Sequence, residues 1–253
     1  MPYKFIFATA MLFGVIVDCH AITNIESKRT REEVNGVKGE VEFAFSGKSG
    51  NSDEQSTEAS FRLDYRQQQR QMLGILSYER EKTNDVETTD NAFAHLRYIH
   101  HRSDVFAWEG YTQYQQDAFK SLDSRLLLGA GARLNVSPQD ESYLLTLGLG
   151  AYYTEETYDL EGGSLHENYV RANTYASFVK SLGENITFSN TLYWQPRFSR
   201  PSDSYIYNNL EFKMAINTAL SLKITIESQY DSDPVEDVSS TDHSYYTSLV
   251  YEF

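Results

Sequence analysis

Apolar and polar residues alternate with period two along most of the chain, in successive runs of about ten residues. Near the end, Leu222, Ile224 and Ile226 alternate with Lys223, Thr225 and Glu227. Before them, Leu210, Phe212, Met214 and Ile216 alternate with Asn209, Glu211 and Lys213, and Ile186, Phe188, Leu192 and Trp194 with Thr187, Ser189, Thr191 and Gln195. The rhythm continues upstream. Val170, Ala172, Ala176 and Phe178 oppose Arg171, Asn173 and Ser177; Leu145, Leu147, Leu149 and Tyr153 oppose Thr146, Gly148 and Gly150; Leu126, Leu128, Ala130, Ala132 and Leu134 oppose Arg125, Gly129, Gly131 and Arg133.

The N-terminal half is rougher but similar, with Phe106, Trp108 and Tyr114 against Glu109, Gln113 and Gln115, and Ala92, Ala94, Leu96 and Tyr98 against His95 and Arg97. Phe61, Leu63 and Tyr65 face away from Arg62, Asp64 and Arg66, and Val41, Phe43 and Phe45 from Glu40, Glu42 and Ser46. The facing of Met72 to Arg80 is ambiguous. Such runs are strands with one apolar face, of the roughly 9 to 11 residues that a tilted membrane strand needs. No helical stripe of useful length interrupts them. The expected fold is all-β, a single up-and-down antiparallel transmembrane β-barrel of about 12 strands.

The connections follow the same logic. With both termini in the periplasm, "RQQQRQ", "HHRSD", "VSPQDES", "SLGEN" and "NTALS" read as short periplasmic turns. "REKTNDVETTD", "EETYDLEGGSLHEN" and "YDSDPVEDVSSTDH" read as longer outer loops.

Lys4 precedes the apolar stretch Phe5 to Val17, and Ala21 supplies a small residue for cleavage, so residues 1–21 read as a secretory signal peptide. Asp18 before Cys19 argues against a lipid-attachment cysteine. Residues 22–37 are polar and read as a short periplasmic leader, leaving 38–253 for the barrel. Cys19 is the only cysteine, so disulfides contribute nothing to the mature chain. The net charge of −14 argues against a nucleic-acid partner. The expected partners are outer-membrane lipid, lipopolysaccharide and the outer-membrane assembly machinery, with the oligomeric state left open. The chain closes on "SLVYEF", where Tyr251 and Phe253 flank one spacer in the manner of the terminal signal that assembly machinery reads; Ser248 stands where the fuller pattern has Gly.

The stretch "GEVEFAFSGKSGNSDEQSTEASFRLDY", Gly39 to Tyr65, resembles the opening hairpin of domain-of-unknown-function family 481, bacterial outer-membrane proteins of which some are described as salt-induced. The likeness rests on a Gly and an alternating strand leading to a Ser-Gly-Asn turn, here Ser49, Gly50 and Asn51, followed by a polar return. It implies a bacterial outer-membrane location and a barrel fold, and carries no catalytic residues.

The inward face of the expected barrel holds Glu40, Glu42, Arg62, Asp64, Glu109, Arg125, Arg133, Arg171, Glu211, Lys213, Lys223 and Glu227. If these charges pair, they fill the lumen and the barrel is an envelope structural or stress-related element. If they line an open path, it is a narrow, porin-like channel for ions or small solutes. The outer connections are acidic, at Asp85, Glu87, Asp90, Glu155, Glu156, Asp159, Glu161, Glu167, Asp231, Asp233, Glu236, Asp237 and Asp242. "DSDPVED" lacks the Gly and distal Glu of a calcium loop, so no metal and no cofactor is expected. An outer-membrane hydrolase is the third reading, with His95, His166 and His243 and the nearby Ser164 and Ser244 as the groups to watch. No diagnostic Ser-His motif marks them, and no enzyme is expected. Tyr98, Trp108, Tyr153, Trp194, Tyr245 and Phe253 fit aromatic girdles at the two membrane interfaces.

Overall fold

The computed structural model describes residues 35–48, 54–84, 86–117, 121–137, 143–160, 163–234 and 239–253. Twelve antiparallel strands close into one barrel in chain order: β1 (Gly36–Lys48), β2 (Glu54–Gln67), β3 (Arg70–Thr83), β4 (Val86–His101), β5 (Phe106–Asp117), β6 (Leu122–Asn135), β7 (Leu144–Leu160), β8 (Gly163–Ser181), β9 (Ile186–Arg197), β10 (Arg200–Ala215), β11 (Leu220–Asp231) and β12 (Thr241–Glu252). The expected signal peptide and all but the last residues of the expected leader lie outside the described residues. Gly36 and Val37, read as leader, are already in β1 and pair with Arg66 and Tyr65.

The period-two pattern becomes an inside-out distribution of burial. Outward side chains are apolar and exposed, as in Leu128 (66%) and Leu149 (69%), whereas inward Thr154 and Thr191 are fully buried. A soluble protein buries the apolar set instead. An apolar exterior around a polar interior is the arrangement that suits lipid outside. Tyr98, Trp108, Tyr153, Trp194, Tyr245 and Phe253 are all on the exposed exterior. In β3, whose two faces are both partly apolar, pairing decides the facing. Leu73 opposes Asp64 and Ile75 opposes Arg62, so both turn inward and form a small interior cluster with Phe93.

Two of the expected outer loops are corrected. "REKTNDVETTD" and "EETYDLEGGSLHEN" are mostly strand: Thr83 pairs with Val86, and the β7–β8 ladder runs without interruption from Leu144↔Val179 to Leu160↔Gly163. Backbone pairing does not require an apolar face, so a hairpin continues after its hydropathy signal stops. "YDSDPVEDVSSTDH" does hold a loop between Asp231 and Thr241. Ser49, Gly50 and Asn51 lie outside the described residues; Lys48 and Glu54 on either side of them pair.

Closure depends on β1 and β12. Glu40 to Ala44 pair with Glu252 to Ser248, and Gly39 and Phe253 exchange N–H···O bonds of 2.8 and 3.0 Å. The Phe253 ring occupies the space above Gly39 that any Cβ there would need. Deleting Phe253 is therefore expected to remove two backbone hydrogen bonds at the seam and lower barrel stability by roughly 1–3 kcal/mol, while Phe253→Ala, which keeps the backbone, costs less. Heat-modifiable gel mobility across a urea series measures this; equal midpoints for wild type and the deletion would contradict it.

Candidate functional site

The barrel interior carries the chain's chemistry. Ten of the twelve charged residues singled out from the sequence, Glu40, Glu42, Arg62, Glu109, Arg133, Arg171, Glu211, Lys223 and Glu227 together with the nearly buried Arg125, have little exposed side-chain surface; Asp64 and Lys213 are more open. They gather into separate networks rather than one ring.

Near the end that holds the termini, Lys223 Nζ lies 2.6 Å from Glu42 Oε2 and 4.0 Å from Glu211, and Ser248 Oγ donates to the other Glu42 oxygen. Lys213 Nζ reaches Glu252 at 2.7 Å and Glu40 at 3.3 Å. Lys223 on β11 thus spans β12 to hold β1, and Lys213 on β10 ties both seam strands. Across the interior, Arg97 and Arg133 approach the same Glu109 oxygen at 3.1 and 3.5 Å. Arg62 pairs with Asp64, which also accepts from Gln71 Nε2 at 2.7 Å.

The middle is filled by tyrosines. Tyr111, Tyr152, Tyr175, Tyr193, Tyr205 and Tyr207 form one buried cluster with Leu127. Gly129 and Gly148 admit two of them: Tyr111 opposes Gly129 and Tyr175 opposes Gly148, and each ring fills the volume a Cβ would take. Side chains of β5 and β8 can therefore fold over β6 and β7 and meet. Asn173 Nδ2 donates to Tyr111 at 2.7 Å, Gln195 Nε2 to Asn173 at 3.1 Å, and Tyr152 to Gln195 at 3.1 Å, while Tyr175 donates to Glu109 at 3.2 Å. Tyr207 and Asn209 both donate to Glu227 Oε1, at 2.8 and 2.7 Å. The Arg97 guanidinium lies 4.8 Å from the Tyr111 ring centre, and the His95 ring stacks on the same Tyr111 ring with centroids 6.1 Å apart.

At the opposite end a cavity of about 60 Å³ is ringed by Arg125, Glu156, Tyr158, Tyr169, Arg171 and Asp203, among others. The sheet explains it. Pro196 and Pro201 lack the N–H a ladder needs, and the β9–β10 register shifts between Arg200 and Ser204. Arg171 Nη1 donates to the carbonyls of Gln195 (3.1 Å) and Asp203 (3.2 Å) beside this irregularity, and Nη2 to the Asp203 carboxylate at 2.6 Å. Arg197 and Arg200 also reach Asp203, Arg200 bridges to Asp233, and Arg125 pairs with Glu156 at 2.8 Å. Asp203 and the inward tyrosines were not among the expected interior residues. The two prolines in "QPRFSRPSD" were the available signal for the first, and the same-face spacing of Tyr205 and Tyr207 for the second.

Of the acidic residues expected in outer loops, Glu156 is buried inside, and Asp85, Glu161, Glu236 and Asp237 lie outside the described residues. Among the described residues, no three of His, Cys, Asp and Glu are grouped to hold a metal ion. His166 Nδ1 meets Thr157 Oγ1 at 3.0 Å and His243 Nδ1 meets Ser228 Oγ at 3.0 Å, both pairs exposed; Ser244 is buried on the opposite face of β12 from His243.

A closed twelve-stranded barrel with an apolar exterior and a charged, hydrogen-bonded interior defines the class of outer-membrane-type β-barrels. The chain belongs to the family described as "Protein of unknown function, DUF481", which it matches over residues 41–253. No curated protein matches it. Its fold is similar to the translocator domain of autotransporter NalP from Neisseria meningitidis (TM-score 0.56, 12% identity, 87% of this chain and 89% of that one). It is also similar to the NanC porin (0.52, 10%, 85% and 99%) and the COG4313 outer membrane channel from Pseudomonas putida F1 (0.51, 9%, 91% and 98%).

The seam network yields a quantitative expectation. Lys223→Met leaves the Glu42 and Glu211 carboxylates buried without their cation and is expected to cost about 3–5 kcal/mol, most of it recovered when Glu42→Gln is added. Urea midpoints of the two variants in detergent test this, and a single variant as stable as wild type would show that the pair does not fasten the seam.

Proposed function

We propose that this protein is a bacterial outer-membrane barrel with a lumen plugged by its own side chains, acting as a structural or stress-related element of the envelope. The observation that supports this is the dryness of the interior. Arg97, Gln113, Thr154, Asn173, Thr191, Tyr193, Gln195 and Thr225, drawn from β4, β5, β7, β8, β9 and β11, are each at most 1% exposed. A water column through the lumen would wet these groups; instead tyrosine rings and ion pairs occupy it. In this reading an N-terminal signal peptide delivers the chain. The assembly machinery reads Tyr251 and Phe253, and the exterior meets lipid and lipopolysaccharide. The chain performs no catalysis.

A second reading, porin-like passage, is favoured by the small polar cavity at the end away from the termini and by the occurrence of this fold in the NanC porin and the Pseudomonas channel.

Planar-bilayer recording separates the two. The wild-type protein is expected to give no resolved steps. The triple variant Tyr111→Ala, Tyr175→Ala, Tyr193→Ala, shown to be folded by heat-modifiable mobility, is expected to give steady ones. Regular wild-type steps would overturn the plugged lumen and establish the porin reading.

A further inference from the structure

The seam between β1 and β12 is zipped over only part of its length. Among the described residues its ladder holds five pairs, Glu40↔Glu252 to Ala44↔Ser248, whereas β8 with β9 has nine and β7 with β8 has seventeen. Both seam strands continue past this point. β1 runs on to Lys48, paired only with β2, and β12 extends back to Thr241, paired only with β11. Because Gly39 and Phe253 form a mutual hydrogen-bonded pair, alternation along an antiparallel ladder assigns the next such pairs to Val41↔Tyr251 and Phe43↔Leu249. The pair after those would be Phe45 with Thr247. It is not in the ladder: the last pair, Ala44↔Ser248, still places the Phe45 N–H on the Thr247 carbonyl, and beyond it the N–H groups of Thr247 and Tyr245 that face across the seam have no ladder partner on β1.

Three further observations bear on this gap. The ionic ties made by Lys213 and Lys223 all lie on the zipped half. The outward flank is apolar: Phe43 and Phe45 are 60% and 75% exposed. The inward flank is polar: Ser60 pairs with Ser77 and Ala44 with Glu58, Tyr246 lies on the same side of β12, and unlike the dry middle of the lumen, Ser56, Glu58, Ser60, Ser77 and Tyr246 are only half-buried. Unpaired backbone at membrane depth is tolerated where it meets a water-filled cavity. An opening with an apolar outer lip and a wet polar inner side matches the two halves of an amphiphile.

We propose that the half of the β1–β12 seam away from the termini is a lateral opening, at which a lipid-like amphiphile of the surrounding leaflet lays its chain against Phe43 and Phe45 and places its polar headgroup among Ser56, Ser60 and Ser77. The proposal rests on the membrane location proposed above but not on the plugged middle of the lumen, which bilayer recording tests separately.

The experiment uses the full mature barrel in phosphatidylethanolamine/phosphatidylglycerol nanodiscs. Amide exchange by NMR is expected to be on the order of 100-fold faster at Tyr245 and Thr247 than at Phe43, Leu249 and Tyr251. Equal protection would mean a fully zipped seam and would end the proposal. A photo-cross-linking side chain at Ser60 is expected to form lipid adducts visible by mass spectrometry, as one at lipid-facing Phe61 does, while one at Thr191 in the dry lumen does not. A disulfide between Phe45→Cys and Thr247→Cys should abolish the Ser60 adduct and leave the Phe61 adduct. No adduct at Ser60, or one that survives the staple, overturns the lateral route. So does an intermolecular disulfide formed by Thr247→Cys alone with slowed exchange at Tyr245, since the edge would then be pairing with a second copy.

Discussion

Everything in this molecule follows from one constraint: a backbone N–H or C=O facing hydrocarbon must be paired, and a sheet pairs all of them only by closing on itself. Eleven of the twelve strand junctions join neighbours in sequence and form as the chain adds hairpins. The twelfth must bring residue 40 to residue 252, and it is here that the protein concentrates devices. Phe253 enters the ladder and lays its ring on Gly39, Lys213 and Lys223 cross β12 to hold carboxylates on β1, and Ser248 bonds Glu42 beneath the strands. Among the described residues, the shortest ladder in the barrel is also one that ionic ties from β10 and β11 support.

The interior obeys the complementary constraint. Charges removed from water need partners, and buried polar atoms need hydrogen bonds. The barrel meets this with long side chains from one wall and glycine on the facing wall. Without Gly129 and Gly148, Tyr111 and Tyr175 could not lie where Asn173 and Glu109 reach them. Irregularity is handled the same way: where Pro196 and Pro201 interrupt the ladder, Arg171 donates to the carbonyls of Gln195 and Asp203. Packing in the lumen is thus polar yet dense, which distinguishes it from the water-filled interior of a wide pore.

The strand pattern was legible because membrane strands carry a hydropathy signal of period two, and it placed charged residues such as Glu42, Glu109 and Lys223 on one face together. Their pairings were not legible. Lys223 and Glu42 are 181 positions apart, and only closure makes them neighbours. The polar strand ends Arg80–Thr83, Val86–Asp90, Glu155–Leu160 and Gly163–Asn168 are not legible as strands because, beyond the lipid, a strand no longer needs an apolar face and the signal disappears. The inward tyrosines escaped notice for a related reason: tyrosine suits lipid interface, strand and core alike, so its identity alone does not reveal its side of the wall.

By itself the sequence determined the fold class, the approximate strand number and the face that the strands other than β3 turn to lipid, since these depend on local alternation and on the length a strand needs to cross a bilayer. Tertiary structure alone decided which charges pair, where tyrosines fill the lumen, and how far the last seam is zipped. Those features depend on contacts between residues distant along the chain, and such contacts exist only once the barrel has closed.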